Sequence, residues 1–300
     1  MGFIMDGNIL KKYIEEEGVT RVVVPDGIVC IGDDGECEHD GYEAFSGCTH
    51  LTEFILPDSV KVIGYDAFAG CEKLKRIVIP EGVDYIRPCA FEDCEELTEI
   101  SLPESVKWIG YHSFQGCGLK SIRLPSGLED IDDNAFFGCS SLEELVLPDP
   151  IEYVGANALD YCDGLKRITL GKCFADLEFM PFHNPNLEEI IVHPENPYYA
   201  SEDGILYNKD MTTLLCCPGG KQGAVVVPDT VTQIGDEWEF AFWHCTKLTS
   251  VQLPAGIRRV GMHSFEGCDI LERDSVPADV EWFDDKVDRR MRSDASEGGE

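Results

Sequence analysis

Residues 57–79 read PDSVKVIGYDAFAGCEKLKRIVI, and residues 80–102 read PEGVDYIRPCAFEDCEELTEISL. Laid one above the other, both place proline first, an aliphatic three residues on and a second at six. Ala-Phe follows at ten and eleven, and cysteine at fourteen. A leucine comes next, then apolar residues in alternation, then the next proline. Working outward, Pro57, Pro80, Pro103, Pro125 and Pro148 lie 23, 23, 22 and 23 residues apart. Cys48, Cys71, Cys94, Cys117, Cys139 and Cys162 keep the same step. Self-similarity at one fixed period marks a repeat array, in which each unit buries its apolar face only against its neighbours. The fold class expected is a repeat solenoid, mainly β with short helical turns, in coils of about 23 residues.

Taken in order, residues 1–18 predict a β-hairpin. Phe3-Ile4-Met5 and Ile9-Leu10 flank a tight Asp6-Gly7 turn, and the hairpin would cap the exposed end of a solenoid spanning 19–283. The first coil starts at Val19, and its Ala44-Phe45 arrives late, so residues 32–42 read as an inserted surface loop. A degenerate coil follows the five regular ones, with Gly171 for proline, Phe174 and Leu177 for the aliphatics, Phe182 for the ring and Pro185 for cysteine. A hairpin insertion is expected at about 194–224, because Asp203-Gly204-Ile205-Leu206-Tyr207 and Leu214-Leu215 repeat the opening pattern. Coils headed by Pro228 and Pro254 follow, and Pro277 heads a decayed terminal one. Residues 284–300 are polar without a periodic apolar face and are expected to be a disordered tail.

Within each coil, a stretch such as Leu74–Ile79 is a short strand that proline ends, where a ladder donor would be missing. A second short strand follows, as in Val106–Ile109, and then a turn that sends the Ala-Phe ring inward. Eight of the fifteen phenylalanines fall on that one spine, which makes it the main hydrophobic column.

These residues resemble the BspA-type leucine-rich repeat, whose pattern is Pro-x-x-(Val/Ile)-x-x-Ile-Gly-x-x-Ala-Phe-x-x-Cys-x-x-Leu-x-x-Ile-x-Ile. The likeness covers about residues 19–283. It implies a leucine-rich-repeat-like solenoid, surface adhesion to host or matrix proteins in some members, and interaction roles in most.

Composition narrows the function. The net charge is −33, and residues 284–300, with six acidic and four basic side chains, supply only −2 of it. Such a surface repels nucleic acid and anionic membranes. Residues 1–10 carry neither a basic leader nor a long apolar run, and no Asn-x-Ser/Thr sequon occurs. A cytoplasmic location is the expectation, with a cell-surface one as the alternative. Of the fourteen cysteines, eight occupy one repeat position. They read as a reduced, buried packing ladder, which suits a reducing compartment.

Four features could carry chemistry. Charges beside the first strand alternate between coils, as at Glu53, Lys75-Arg76, Glu99, Glu143-Glu144, Lys166-Arg167 and Glu188-Glu189, so adjacent strands neutralise one another. The exposed position of the second strand carries Val62, Tyr85, Trp108, Asp130 and Tyr153 in consecutive coils. Aromatics concentrated on an outward stripe mark binding hot spots, so this stripe is the partner-binding candidate. Cys30, Cys37, His39, Cys48 and His50 cluster about the first insertion and have zinc-binding chemistry, but their spacing matches no standard finger. Neither a phosphate-cradling loop nor a nucleophile elbow is present, and His112 and His263 stand many coils apart. The expectation is a monomeric, non-catalytic scaffold that needs no cofactor and binds a protein partner. A metal-stabilised or enzymatic domain is the remaining alternative.

Overall fold

The computed structural model describes residues 2–32, 43–177, 184–235, 241–272 and 275–283. The first insertion, with Cys37 and His39, lies outside the described residues, as do Phe182 and the tail from 284. Two compact units divide the chain: Met1–Leu165 with Leu170–Pro181, and Lys166–Thr169 with Phe182–Glu300. All the regular elements named among the described residues are strands, and none is an α-helix.

The first four coils each lay down two short strands, which stack in parallel in two separate sheets. The first strands, Arg21–Val23, Glu53–Ile55, Arg76–Val78 and Glu99–Ser101, make a four-stranded sheet. The second strands, Cys30–Ile31, Val62–Ile63, Tyr85–Ile86, Trp108–Ile109 and Asp130–Ile131, stack in that order. The antiparallel pair Gly2–Asp6 and Ile9–Ile14 begins that stack, with Ile9 and Leu10 beside Cys30 and Ile31. Because side chains alternate along a strand, the second residue of each pair points inward. Ile31, Ile63, Ile86, Ile109 and Ile131 are all buried, which leaves Val62, Tyr85, Trp108 and Asp130 outward, while Cys30 of the first strand is buried as well.

The sequence dictates how each coil bends. After each proline the chain closes a turn in which the amide three residues on donates to the proline carbonyl, as from Val60 to Pro57 at 3.1 Å and from Val106 to Pro103 at 3.2 Å. After the second strand the backbone passes twice through the left-handed region. The first pass falls at Asp66, Cys89, His112, Asn134 and Asn157, with φ of 50, 56, 54, 55 and 55°. The second falls at Gly47, Gly70, Asp93, Gly116, Gly138 and Tyr161. A Cβ on Gly70 would meet nothing nearer than 3.7 Å, so conformation rather than space favours glycine there. Each pass interrupts right-handed winding, so the helical turns stay single.

Between the two passes sits Phe. The rings of Phe45, Phe68, Phe91, Phe114 and Phe136 stack with centroids 5.2, 5.1, 5.5 and 5.4 Å apart, all fully buried. Their amides form a further ladder, each donating to the residue before the next ring: Phe68 to Ala90 at 2.9 Å, Phe91 to Ser113 at 2.9 Å, Phe114 to Ala135 at 2.8 Å. The cysteines run alongside. The thiols of Cys71, Cys94, Cys117, Cys139 and Cys162 donate to the carbonyls of Phe45, Phe68, Phe91, Phe114 and Phe136 at 3.1–3.2 Å. The ladder is thus a row of weak donors, each adding a second bond to a buried carbonyl that already accepts from the amide three residues on.

The second unit opens its sheet with a similar device and one more strand. Tyr199–Glu202, Ile205–Asn208 and Thr213–Cys216 form an antiparallel meander. Asp203 and Gly204, both at positive φ, make the first turn, as a two-residue hairpin requires. The third strand then pairs in parallel with Gln233–Ile234, which leads to Arg259–Gly261 and Glu281–Phe283. Tyr-Ala-Ser-Glu of the first strand has no apolar alternation and is mostly half-buried. That is why the sequence pattern shows only the two strands after it.

Candidate functional site

The exposed face of the second-strand sheet is built from the outward residue of each two-residue strand. Parallel register sets Cys30 beside Val62, Tyr85 beside Trp108, and Trp108 beside Asp130. Four of the five stripe residues therefore stand on consecutive strands about 4.8 Å apart. Tyr153 follows in the next coil without strand pairing, close enough that the Asp130 carboxylate pushes its phenol pKa upward. Val62, Tyr85 and Asp130 are half-buried, whereas Trp108 and Tyr153 keep 41 % and 52 % of their surface exposed.

The stripe is electrically polarised. At one end the Arg87 guanidinium lies 5.7 Å from the Tyr65 ring centre and 5.3 Å from that of Tyr85, a cation–π arrangement. Tyr85 meets Trp108 edge-to-face at 6.4 Å. At the other end stand Asp130, Asp132 and Asp133. Burial pushes the Asp130 carboxyl above its ordinary 3.8, and the carboxylates of Asp132 and Asp133 add to the push. Asp132 accepts from the amide of Asp133 at 2.8 Å and Asp133 from that of Ala156 at 2.6 Å. No ion pair reaches the three among the described residues, so the end of the stripe past Trp108 is an uncompensated negative patch.

The first-strand sheet differs. Glu53 pairs with Arg21 at 3.0 Å and with Arg76 at 2.9 Å, and in the second unit Arg167 pairs with Glu189 at 2.6 Å. A hollow of about 560 Å³ lies over Glu53, Arg76, Val78 and Glu99. Of its charges, Glu53 and Arg76 engage one another across the strands, and Glu99 stands in register on the other side of Arg76.

The cysteines and histidines about the first insertion do not converge where they are described. The Cys30 thiol donates to the Gly32 carbonyl at 3.4 Å. Cys48 is buried and burial pushes its thiol up to about 12, and the His50 ring faces Glu15 at 3.3 Å. A different set does converge. Among the described residues, Cys89, Glu92 and His112 offer ligand atoms all within 4.8 Å of one another. Cys89 and His112 hold the same left-handed turn position in adjacent coils. Glu92 projects from the turn of the Cys89 coil. Its carboxylate lies 3.4 Å from His112 Nδ1 and accepts from the Gln115 amide at 2.8 Å. The His112 ring stacks on Tyr111 with centroids 3.8 Å apart. Burial, with the carboxylates of Glu92 and Asp66 nearby, pushes the Cys89 thiol up to about 12. Reading along the chain misses this trio. Aligned on the repeat, Cys89 and His112 fall into one column, and Cys89 stands apart from the thiol ladder.

The BspA type leucine-rich repeat model matches residues 36–143, 88–210 and 219–287, in six copies. The chain belongs to this family. Among solved structures, a leucine-rich repeat protein from Bacteroides ovatus is 23 % identical, with a TM-score of 0.57 over 88 % of this chain and 65 % of its own. Another from Eubacterium ventriosum is 22 % identical, with a TM-score of 0.55 over 71 % of this chain and 61 % of its own. At these identities the likeness is one of fold, and the chain spans somewhat less than two thirds of either relative. No curated protein matches it.

Proposed function

We propose that this BspA-type repeat protein is a non-catalytic, monomeric scaffold that binds a protein partner through the Val62–Tyr85–Trp108–Asp130–Tyr153 stripe. The segment it takes carries Lys or Arg beside an apolar anchor. The observation that carries this reading is the position of Trp108, well exposed between the half-buried Tyr85 and the unpaired Asp130. A large amphipathic ring on a rigid sheet supplies contact area with little ordering cost, as aromatic hot spots do. The Asp130–Asp132–Asp133 group selects the charge of what lies beside it, and the net charge of −33 steers cationic segments towards the surface. Nucleic acid and anionic membrane are disfavoured by the same field.

The test is to pan a random peptide display library against the full chain and titrate the enriched peptides into wild type and W108A. Enrichment of basic residues next to an aromatic or aliphatic one is expected, with binding weakened about thirtyfold or more in W108A and falling with added salt. Enrichment of acidic peptides, or equal affinity for W108A, would sink the reading.

We further propose that the protein resides in the reducing cytoplasm. Support comes from the thiol ladder, in which five successive cysteines act as donors to buried carbonyls, a role that needs the S–H intact. Fractionation of native cells decides it, and recovery from the cell surface would overturn it.

A further inference from the structure

We propose that Cys89, Glu92 and His112 form a binding site for a zinc-class divalent cation, with water completing the coordination shell. Thiolate, imidazole and carboxylate are the ligand types zinc takes in proteins, and three protein ligands with an open fourth position is a common arrangement. Bond lengths of about 2.0–2.3 Å around a tetrahedral ion put its ligand atoms roughly 3.3–3.8 Å apart. The three atoms already lie within 4.8 Å, so side-chain adjustments of roughly 1 Å gather them. The elements that carry them are fixed by backbone ladders. Cys89 N donates to Tyr111 O at 2.9 Å, and Phe91 N to Ser113 O at 2.9 Å.

Two further observations set this trio apart from ordinary surface polarity. First, the position held by Cys89 and His112 is left-handed in all five regular coils of the first unit, where the other occupants are Asp66, Asn134 and Asn157. Asp and Asn enter that conformation at least cost, whereas most other side chains lose about 1–2 kcal/mol. Backbone geometry therefore gives no reason for cysteine at 89, nor does the thiol ladder, which runs through Cys71, Cys94 and Cys117. Second, the polar groups around the trio hold it in place. Gln115 fixes the Glu92 carboxylate at 2.8 Å, and the Tyr111 ring lies flat against that of His112, so the carboxylate and the imidazole are oriented before an ion arrives. On coordination the Cys89 proton leaves to solvent, giving the thiolate that binds the metal.

The experiment uses the full chain, treated with chelator and then titrated with Co²⁺, whose thiolate charge-transfer and visible ligand-field bands report cysteine in a tetrahedral shell. Wild type, C89N and H112N are compared, because asparagine already occupies this position in neighbouring coils and keeps the turn folded. Wild type is expected to take up one equivalent with a charge-transfer band that Zn²⁺ abolishes. C89N should lose the band, and H112N should bind about tenfold or more weakly. Zinc should also raise the melting temperature of wild type and leave that of C89N unchanged. A wild type that binds no ion overturns the proposal, and so does a C89N protein with the same band as wild type. Neither result bears on the stripe, whose test is peptide binding.

Discussion

Two columns run through the same coils and behave in opposite ways. The inner one repeats a single residue: Phe45, Phe68, Phe91, Phe114 and Phe136, each fully buried and stacked at 5.1–5.5 Å. The outer one, a few residues earlier in each coil, changes at every step: Val62, Tyr85, Trp108, Asp130 and Tyr153. The inner column admits only a large apolar side chain, Phe in these five coils and Leu159 in the next, because whatever fills one coil must also fit the neighbours above and below it. The outer column meets solvent, so the fold leaves its chemistry free. What the coils share accounts for stability, and what they do not share is where recognition can be written.

The sharpest break between the two columns is in stability. Phe91 packs between Phe68 and Phe114, and its truncation leaves a cavity no neighbour can fill, so F91A should cost about 3–5 kcal/mol. Trp108 is the larger ring but is 41 % exposed and meets the Tyr85 ring edge-to-face at 6.4 Å, and W108A should cost about 1 kcal/mol or less. Urea denaturation of both variants measures the contrast. Similar losses would mean that the exposed ring is a structural element rather than a recognition element.

Neighbouring coils sharpen the rule for the inner column. Ser113 stands where Ala67, Ala90 and Ala135 stand, and its hydroxyl is fully buried without a hydrogen-bond partner. An unsatisfied buried hydroxyl costs about 1–3 kcal/mol, so S113A should stabilise the protein by about 1 kcal/mol. At the equivalent place in the second unit, Ser264 reaches the Ile234 carbonyl at 3.4 Å, so S264A should bring no such gain. Thermal melts of the two variants separate the cases. A loss in S113A would show that the hydroxyl is satisfied.

The same contrast explains what could be read from sequence. The Phe spine and the thiol ladder were legible because each position repeats at the coil period, and identity across copies needs no structure to detect. The side-by-side order of Val62, Tyr85, Trp108 and Asp130 followed from the same period, since parallel stacking sets equivalent positions on adjacent strands. What stayed hidden depends on contacts between unlike residues. Glu92 meets His112 only because a turn of one coil lies against the turn of the next, and a search for ligand spacing along the chain passes over the trio. The strand Tyr199–Glu202 escaped because its partner Ile205–Asn208, not its own pattern, makes it a strand. The left-handed passes were hidden as well, for Cys89 and Tyr161 do not announce positive φ as glycine does.

The smallest effect is at Asp130, where the outer column works against stability. Its carboxyl is held above 3.8 by burial and by Asp132 and Asp133, so the charged form is disfavoured in the fold. The sign follows from linkage. At pH below 3.8 the carboxyl is protonated in folded and unfolded chains alike, and nothing is lost. As pH rises through the elevated folded value, the unfolded chain ionises more readily and stability falls. D130N should therefore melt slightly higher than wild type at neutral pH, with the difference vanishing as pH falls below 3.8. The same substitution should weaken binding of a basic peptide, by less than W108A does. A variant that melts higher and binds worse marks a residue whose charge serves recognition at the expense of the fold. If D130N instead melts lower at neutral pH, the carboxylate is part of the frame, and the division between the two columns fails at that coil.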